Sequence, residues 1–589
     1  PFAPGGPPPR LGARRRPAVR KTMSLAATPL ATHRSTGAAL LALAIGLFLL
    51  AFLFVPVATV VYVAFTEKGG GGFTLVNFLD FARTDLFVRS FWNSIYVSAM
   101  TVLWSSAFAL PLAYLTTRFE FRGAGLVQTL GFLPLIMPPF VGAVAMQLLF
   151  GRNGTVNLLL DEYFDFKIGF MEGLNGVIFL QAIHYFPFIL VNLSAALRNI
   201  DRSMEEAAQN LGSHGVRLFR RIAFPLALPG YVAGASLVFV KVFDDVASPL
   251  LLNVKEMLAP QAYLRITSIG IDDPMGYVIA VVLIAIAVVT MWGSAQVLKG
   301  KDYATTQRGG GGLARRPLTG RQSVLAYALV LLILALVLAP HLGLLLLSLA
   351  TVWSFSPLPD GYTLAHYARV LGDSSVYITN TLLYSSLAAA IDVVLGGAIA
   401  YLVLRTKLPG RSMLDWGAGA ALAVPGVVLG IGYLRAFYGV KLPDGTPLAA
   451  LWIMIVLAIA IRRLPYALRA AYAALQQISV SLEEAAENLG ATKSRTVRRI
   501  VIPLMTGGLL AGFVTSFATA AVELAAVLML VQNNSDAPLS YGLYVLMQTP
   551  AGRGAGAALG VIAVIIVAVC MGLSQLAADR SQRARGLEL

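Results

Sequence analysis

The chain has 589 residues, 57% of them hydrophobic and only 13% charged, with a formal net charge of +16. So low a charged fraction excludes an ordinary soluble domain, where about 25% of residues are charged, and the single cysteine, Cys570, excludes both an internal disulfide and a cysteine cluster for zinc or iron–sulfur. Many apolar runs of about 20 residues are long enough to cross a bilayer as helices and too continuously apolar for barrel strands, so the positive charge reads as membrane topology and gives no sign of nucleic acid as a partner.

Residues 1–37 form a basic tail, in which a Pro/Gly-rich start is followed by Arg10, Arg14, Arg15, Arg16, Arg20, Lys21 and Arg34 without an acid among them. Six spans are then expected at about 38–65, 92–116, 126–150, 175–197, 225–251 and 276–297, with ends uncertain by a few residues. They make a first transmembrane half over 38–297, whose third span is interrupted by Pro138 and Pro139. The stretch 298–323 contains Gly309–Gly312 and basic residues but no apolar run, and reads as a cytoplasmic linker. A second half over 324–577 follows, with spans at about 324–354, 379–404, 413–435, 448–470, 503–531 and 554–577. Residues 578–589 form a second cytoplasmic tail. With the N-terminus inside and the spans alternating, most of the 45 Lys and Arg residues fall in cytoplasmic segments, the distribution that sets orientation in a membrane. The expected architecture is an all-α polytopic membrane protein with twelve transmembrane helices in two parallel six-helix repeats and both termini cytoplasmic.

One polar signature occurs twice. Glu206-Ala207-Ala208-Gln209-Asn210-Leu211-Gly212 recurs 278 residues later as Glu484-Ala485-Ala486-Glu487-Asn488-Leu489-Gly490. Ile222 and Pro225 follow the first copy, Ile500 and Pro503 the second. Ser203 and Ser481 stand three residues before Glu206 and Glu484, the spacing of a capping box that satisfies free backbone N–H groups at a helix start. The alanines favour helix, and Gly212 and Gly490 permit a turn. Ala113-Tyr114-Leu115 with Arg118 recurs as Ala400-Tyr401-Leu402 with Arg405, and Asn93 as Asn380, all offset by 287 residues. This common order points to duplication.

The doubled signature resembles the EAA loop of inner-membrane permeases of the type I ABC importer superfamily. The resemblance implies that residues about 205–216 and 483–494 are coupling helices, with Ser203, Glu205, Glu206, Ala207, Ala208 and Gly212, and Ser481, Glu483, Glu484, Ala485, Ala486 and Gly490, engaging two cytoplasmic ABC ATPase subunits. It also implies a periplasmic or extracellular solute-binding protein as partner and a bacterial inner-membrane location. No phosphate loop is present, since Gly309–Gly312 lacks the Gly-Lys-Ser/Thr context. The chain is therefore expected to bind no cofactor and to be a permease, not an enzyme, with ATP and Mg on the partner subunits.

Charges inside spans cost free energy and mark candidate pathway or gate residues. Lys241, Asp244 and Asp245 lie at the end of the fifth span, where helical spacing lets Lys241 pair with either carboxylate. Glu523 matches Asp245 at the signature offset. A polar contact that fixes the bundle is the simpler reading of these four. Arg462, Arg463 and Arg469 read as anchors at the inner end of a span, and His184 as a packed core histidine. The polar outer segment 532–553 and Lys255, Glu256, Asp272 and Asp273 would face a binding protein. The fused halves, with Asp245-Val246-Ala247-Ser248-Pro249 and Glu523-Leu524-Ala525-Ala526, resemble the ferric-iron permease group, which implies Fe(III) as substrate. An importer of aminoethylphosphonate or another small organic ion is the alternative, and an ion-coupled secondary transporter is a more distant one.

Overall fold

The computed structural model describes residues 36–299, 316–318 and 320–583. The basic tail up to residue 35, most of the linker including Gly309–Gly312, and the last six residues lie outside them.

The described chain is helical almost throughout. Its first half contains α1 (Thr36–Ala64), α2 (Asp85–Arg118), α3 (Ala124–Leu135), α4 (Pro139–Phe164), α5 (Gly173–Arg198), the short α6 (Arg202–Asn210), α7 (Gly215–Phe243) and α8 (Pro274–Leu298). The second repeats the order with α9 (Gly320–Leu349), α10 (Ser375–Arg405), α11 (Arg411–Ala423), α12 (Gly426–Tyr438), α13 (Trp452–Gln476), the short α14 (Val480–Asn488), α15 (Lys493–Ala521) and α16 (Pro550–Leu573). Among the described residues, nine helices are long and apolar enough to cross a membrane, and up to eleven if each of two bent pairs counts as one span. Helix α13 has 25 residues but stands apart, because every 18-residue stretch of it contains Arg462, Arg463 and Arg469.

The bent pairs lie where the sequence places prolines. The chain turns by 104° between α3 and α4 at Pro138-Pro139, and by 108° between α11 and α12 at Pro425-Gly426. Proline removes a backbone donor and disfavours helix in the residue before it, so a helix ends there. A matching pair of irregularities sits before Pro225 and Pro503, where residues Phe219–Ala223 and Val497–Val501 form widened π turns. Such turns accommodate the clash between a proline ring and the carbonyl four residues earlier.

Equivalent helices pack alike. α2 lies along α5 and α10 along α13, while α7 packs on α5 and α15 on α13. The first helix of each half crosses to the other half: α1 packs on α12, and α9 on α4. Glycines permit these close approaches. A Cβ on Gly432 would come within 2.7 Å of the Pro56 carbonyl, and one on Gly343 within 3.1 Å of the Ala145 side chain. The outer faces carry exposed Leu40, Leu41, Leu43 and Leu47 on α1 and Leu331 and Leu332 on α9, as expected where lipid is the solvent.

Candidate functional site: two anchored helices and a buried ion-pair network

The signature segments fold as α6 and α14, each bounded by a cap and a left-handed glycine. The caps are not the serines of the capping-box reading. Asp201 accepts from the Ser203 backbone N–H at 2.9 Å, and Ser479 accepts from that of Ser481 at 3.4 Å. Ser203 and Ser481 thus lie inside the first turn, because both helices start earlier than the signature suggests. Its hydrogen bond to Ser203 holds the Asp201 carboxyl below the ordinary carboxylate range. The helices end at Asn210 and Asn488, so continuous helices over 205–216 and 483–494 do not form. Gly212 and Gly490 follow at φ +82° and +85°, a conformation that costs side-chain-bearing residues about 1–2 kcal/mol.

Each helix is held to the bundle by an arginine. Arg118, at the end of α2, forms an ion pair with Glu205 at 2.5 Å and donates to the Leu197 carbonyl at 2.9 Å. Arg405, at the end of α10, donates to Glu483 at 2.6 Å and to the Leu475 and Ile478 carbonyls at 3.1 and 2.7 Å. Glu205 and Glu483 are buried, as are Ala208 and Ala486. Glu206 and Ala207, like Glu484 and Ala485, remain exposed. Beyond them Leu211 and Leu489 are each 89% exposed. One face of each helix is therefore fixed to the spans, and the other presents acid, alanine and leucine outward. The repeated arginines are visible in the sequence, but their partners are not.

At the other end of α2 and α10 the duplication is equally literal. Asn93 donates to the Glu256 carbonyl at 2.9 Å, and Asn380 to those of Ser535 and Ala537 at 2.7 and 3.1 Å. The next residues accept backbone N–H groups: Ser94 from Leu258 at 2.8 Å, Thr381 from Leu539 at 2.6 Å. These bonds hold the segments that return from α7 and α15 toward the last span of each half.

Between the halves lies a network of opposite charges. Asp244, just past α7, accepts from Arg462 at 2.9 Å and from the Gly426 backbone N–H at 2.9 Å. Glu523, just past α15, is bound by both Arg462 and Arg463, and its backbone carbonyl accepts from Ser540 at 2.6 Å. The network joins the end of α7 in the first half to the α11–α12 break, the middle of α13 and the end of α15. Gly426 is required by this packing, since a Cβ there would overlap the Arg462 guanidinium.

Two expectations are corrected here. Lys241 does not pair with Asp244 or Asp245 and has no ion-pair partner among the described residues. Asp244 is taken by Arg462. Asp245 instead accepts from Gln181 at 2.8 Å and from the Ala247 and Ser248 N–H groups at 3.1 and 3.2 Å, starting a short helix. Arg462 and Arg463 are not end anchors but buried partners of carboxylates from other helices; only Arg469, paired with Asp415 at 3.4 Å, lies on a half-open surface. The halves also differ: His184 and Tyr185 occupy the α5 positions equivalent to Arg462 and Arg463. His184 binds the Leu180 carbonyl at 2.8 Å and stacks on His341, with ring centres 6.2 Å apart. Asp392, fully buried on α10, escaped the sequence reading; a lone acid in an apolar run is the signal that marks it.

A cavity of about 290 Å³ adjoins the network, lined along α7 from Ala233 to Asp244 and closed by residues of α8, α11, α13 and the α11–α12 break. No group of three or more His, Cys, Asp or Glu side chains among the described residues is placed to hold a metal ion.

Comparison with known proteins gives consistent matches. The family described as "Binding-protein-dependent transport system inner membrane component" matches residues 105–299 and 323–584. The "Ferric transport system permease protein FbpB" of Actinobacillus pleuropneumoniae is 28% identical over 512 residues, covering 84% of this chain and 72% of that protein. The "Putative ferric transport system permease protein FbpB 1" of Haemophilus influenzae is 28% identical over 500 residues, covering 82% and 77%. The "Molybdenum transport system permease protein ModB" of Escherichia coli K12 is 33% identical over 213 residues, covering 34% of this chain and 92% of the relative.

Proposed function

Because this chain belongs to the family of binding-protein-dependent transport system inner membrane components, we propose that it is the complete translocation pore of an ATP-driven importer, two permease halves fused in one polypeptide. It is a multi-pass inner-membrane permease component of an ABC-type importer. Counting α13 and both bent pairs as spans would give six per half, an even number that, together with the Lys and Arg bias, supports both termini on the cytoplasmic side. The observation that carries the reading is the pair of arginine-anchored helices, each with an exposed leucine beside the Glu-Ala-Ala face. Helices α6 and α14 each dock one ATPase subunit, with Glu206, Ala207 and Leu211, and Glu484, Ala485 and Leu489, at the contact. Because Arg118 and Arg405 tie these helices to α2 and α10, movement of the ATPases is passed to the spans as rigid-body motion.

Reversing charge with Glu206→Lys and Glu484→Lys together should weaken ATPase co-purification and ATP-driven uptake by about tenfold or more, the scale on which interfacial charges act. Unchanged values for both, in protein that still elutes as a single species, would sink the docking assignment.

The names of the two long relatives support Fe(III) as the cargo. A cognate solute-binding protein should bind Fe(III), and uptake in proteoliposomes should require that protein, the ATPase pair and ATP. A binding protein that ignores Fe(III) but binds aminoethylphosphonate would replace the cargo assignment. Uptake without the ATPases would replace the importer itself with an ion-coupled transporter.

A further inference from the structure

We infer that the cavity between the two halves is a binding site for a small oxyanion, with Lys241 as its principal ligand. This rests on the importer reading and narrows what its pore accepts.

The cavity walls include Lys241, Asp244, Arg462, Arg463, Tyr466 and Ser294. Three cations thus face one carboxylate, and that carboxylate is already bound by Arg462 and the Gly426 N–H. Glu523 neutralises the two arginines from behind and does not line the cavity. Asp245 and Asp392 do not line it either, and Asp245 is turned to Gln181 and its own helix start. Lys241 is left as the cation without a carboxylate. It is half-buried, and no described residue forms an ion pair or hydrogen bond with it. A charge at this depth is costly unless water or a counter-charge meets it, and the two carboxylates within electrostatic range of Lys241, Asp244 and Glu523, are in direct contact with the arginines and not with its ammonium. An anion in the cavity would meet the ammonium of Lys241 and the hydroxyls of Tyr466 and Ser294, all donors that suit oxyanion oxygens.

The volume of about 290 Å³ lies at the small end of ligand pockets, which run from about 300 to 1,000 Å³. It suits a compact oxyanion and not a long organic ion. The excess positive lining also repels a bare multivalent cation.

The test is equilibrium binding of radiolabelled sulfate and inorganic phosphate to the full-length protein in lipid nanodiscs, with choline as the cationic control. Saturable binding of at least one anion and none of choline is expected. Lys241→Met should weaken that binding about tenfold or more, the contribution of one charge-assisted hydrogen bond, and Lys241→Arg should restore most of it. The same anion should raise the thermal unfolding midpoint of the unmutated protein relative to chloride by mass action, a readout that does not depend on a variant folding. Absence of saturable anion binding overturns the proposal, as does unchanged binding in Lys241→Met. Because this measurement needs neither ATP nor ATPase, its failure leaves the importer reading standing, while loss of ATP-dependent uptake would remove that reading without touching the binding result.

Discussion

Glu523→Ala should destabilise the protein by about 3–5 kcal/mol, the usual cost of removing one partner from a buried ion pair. The side chain is 4% exposed and binds both Arg462 and Arg463. Its removal leaves two guanidinium groups in the membrane interior with Asp244 as the only carboxylate still bound to them. Glu523→Gln retains an acceptor but not the charge and should fall between the two. Fluorescence-detected gel filtration after a heating series would read the effect. An unmutated midpoint in Glu523→Ala would show that the network contributes no stability. Removing the arginines as well, as Glu523→Ala with Arg462→Met and Arg463→Met, should recover part of the loss, because apolar side chains of similar size tolerate such sites better than an unpaired charge.

The second large effect is expected at the two anchors. Arg118→Ala combined with Arg405→Ala should reduce ATP-driven uptake on the order of tenfold to a hundredfold, since each change strips a buried charge pair that links a helix proposed to dock an ATPase to a span. Both arginines also donate to carbonyls at the ends of α5 and α13, so α6 and α14 lose their connection to two spans at once. ATP hydrolysis should persist while its stimulation by loaded binding protein disappears, a split that simple misfolding does not produce. Lysine at both positions should rescue only partly, because a point charge cannot reach a carboxylate and two carbonyls as the guanidinium of Arg405 does. Full uptake in the double alanine variant would refute the transmission role.

Much of this was legible along the chain. The doubled Glu-Ala-Ala signature and the proline breaks at Pro138-Pro139 and Pro425 recur as structural features, because each acts through neighbours within a few residues; Arg118 and Arg405 recur too, but their partners lie at least 70 residues away. The capping boxes were misplaced for a related reason: Asp201 and Ser479 compete for the same role two residues upstream, and spacing alone does not choose between adjacent caps. Lys241 and Asp244 show the limit more clearly. Their i,i+3 spacing permits a pair within one helix, but Arg462 offers Asp244 a guanidinium with fork geometry and Gly426 adds a backbone donor.

The sequence by itself determined that the chain is a helical membrane protein, that its two halves are copies, and that each copy carries one exposed polar helix. Apolar run length, Lys and Arg bias and repeated spacing are properties of the chain read locally, and lipid leaves few alternatives to helix. Only the tertiary structure decided which charges meet. Asp244 and Arg462 are 218 residues apart, and helical periodicity states which residues share a face but not which helix that face touches. That choice engaged Asp244 and Glu523 with arginines of another helix and left Lys241 lining a cavity without a carboxylate in contact with it.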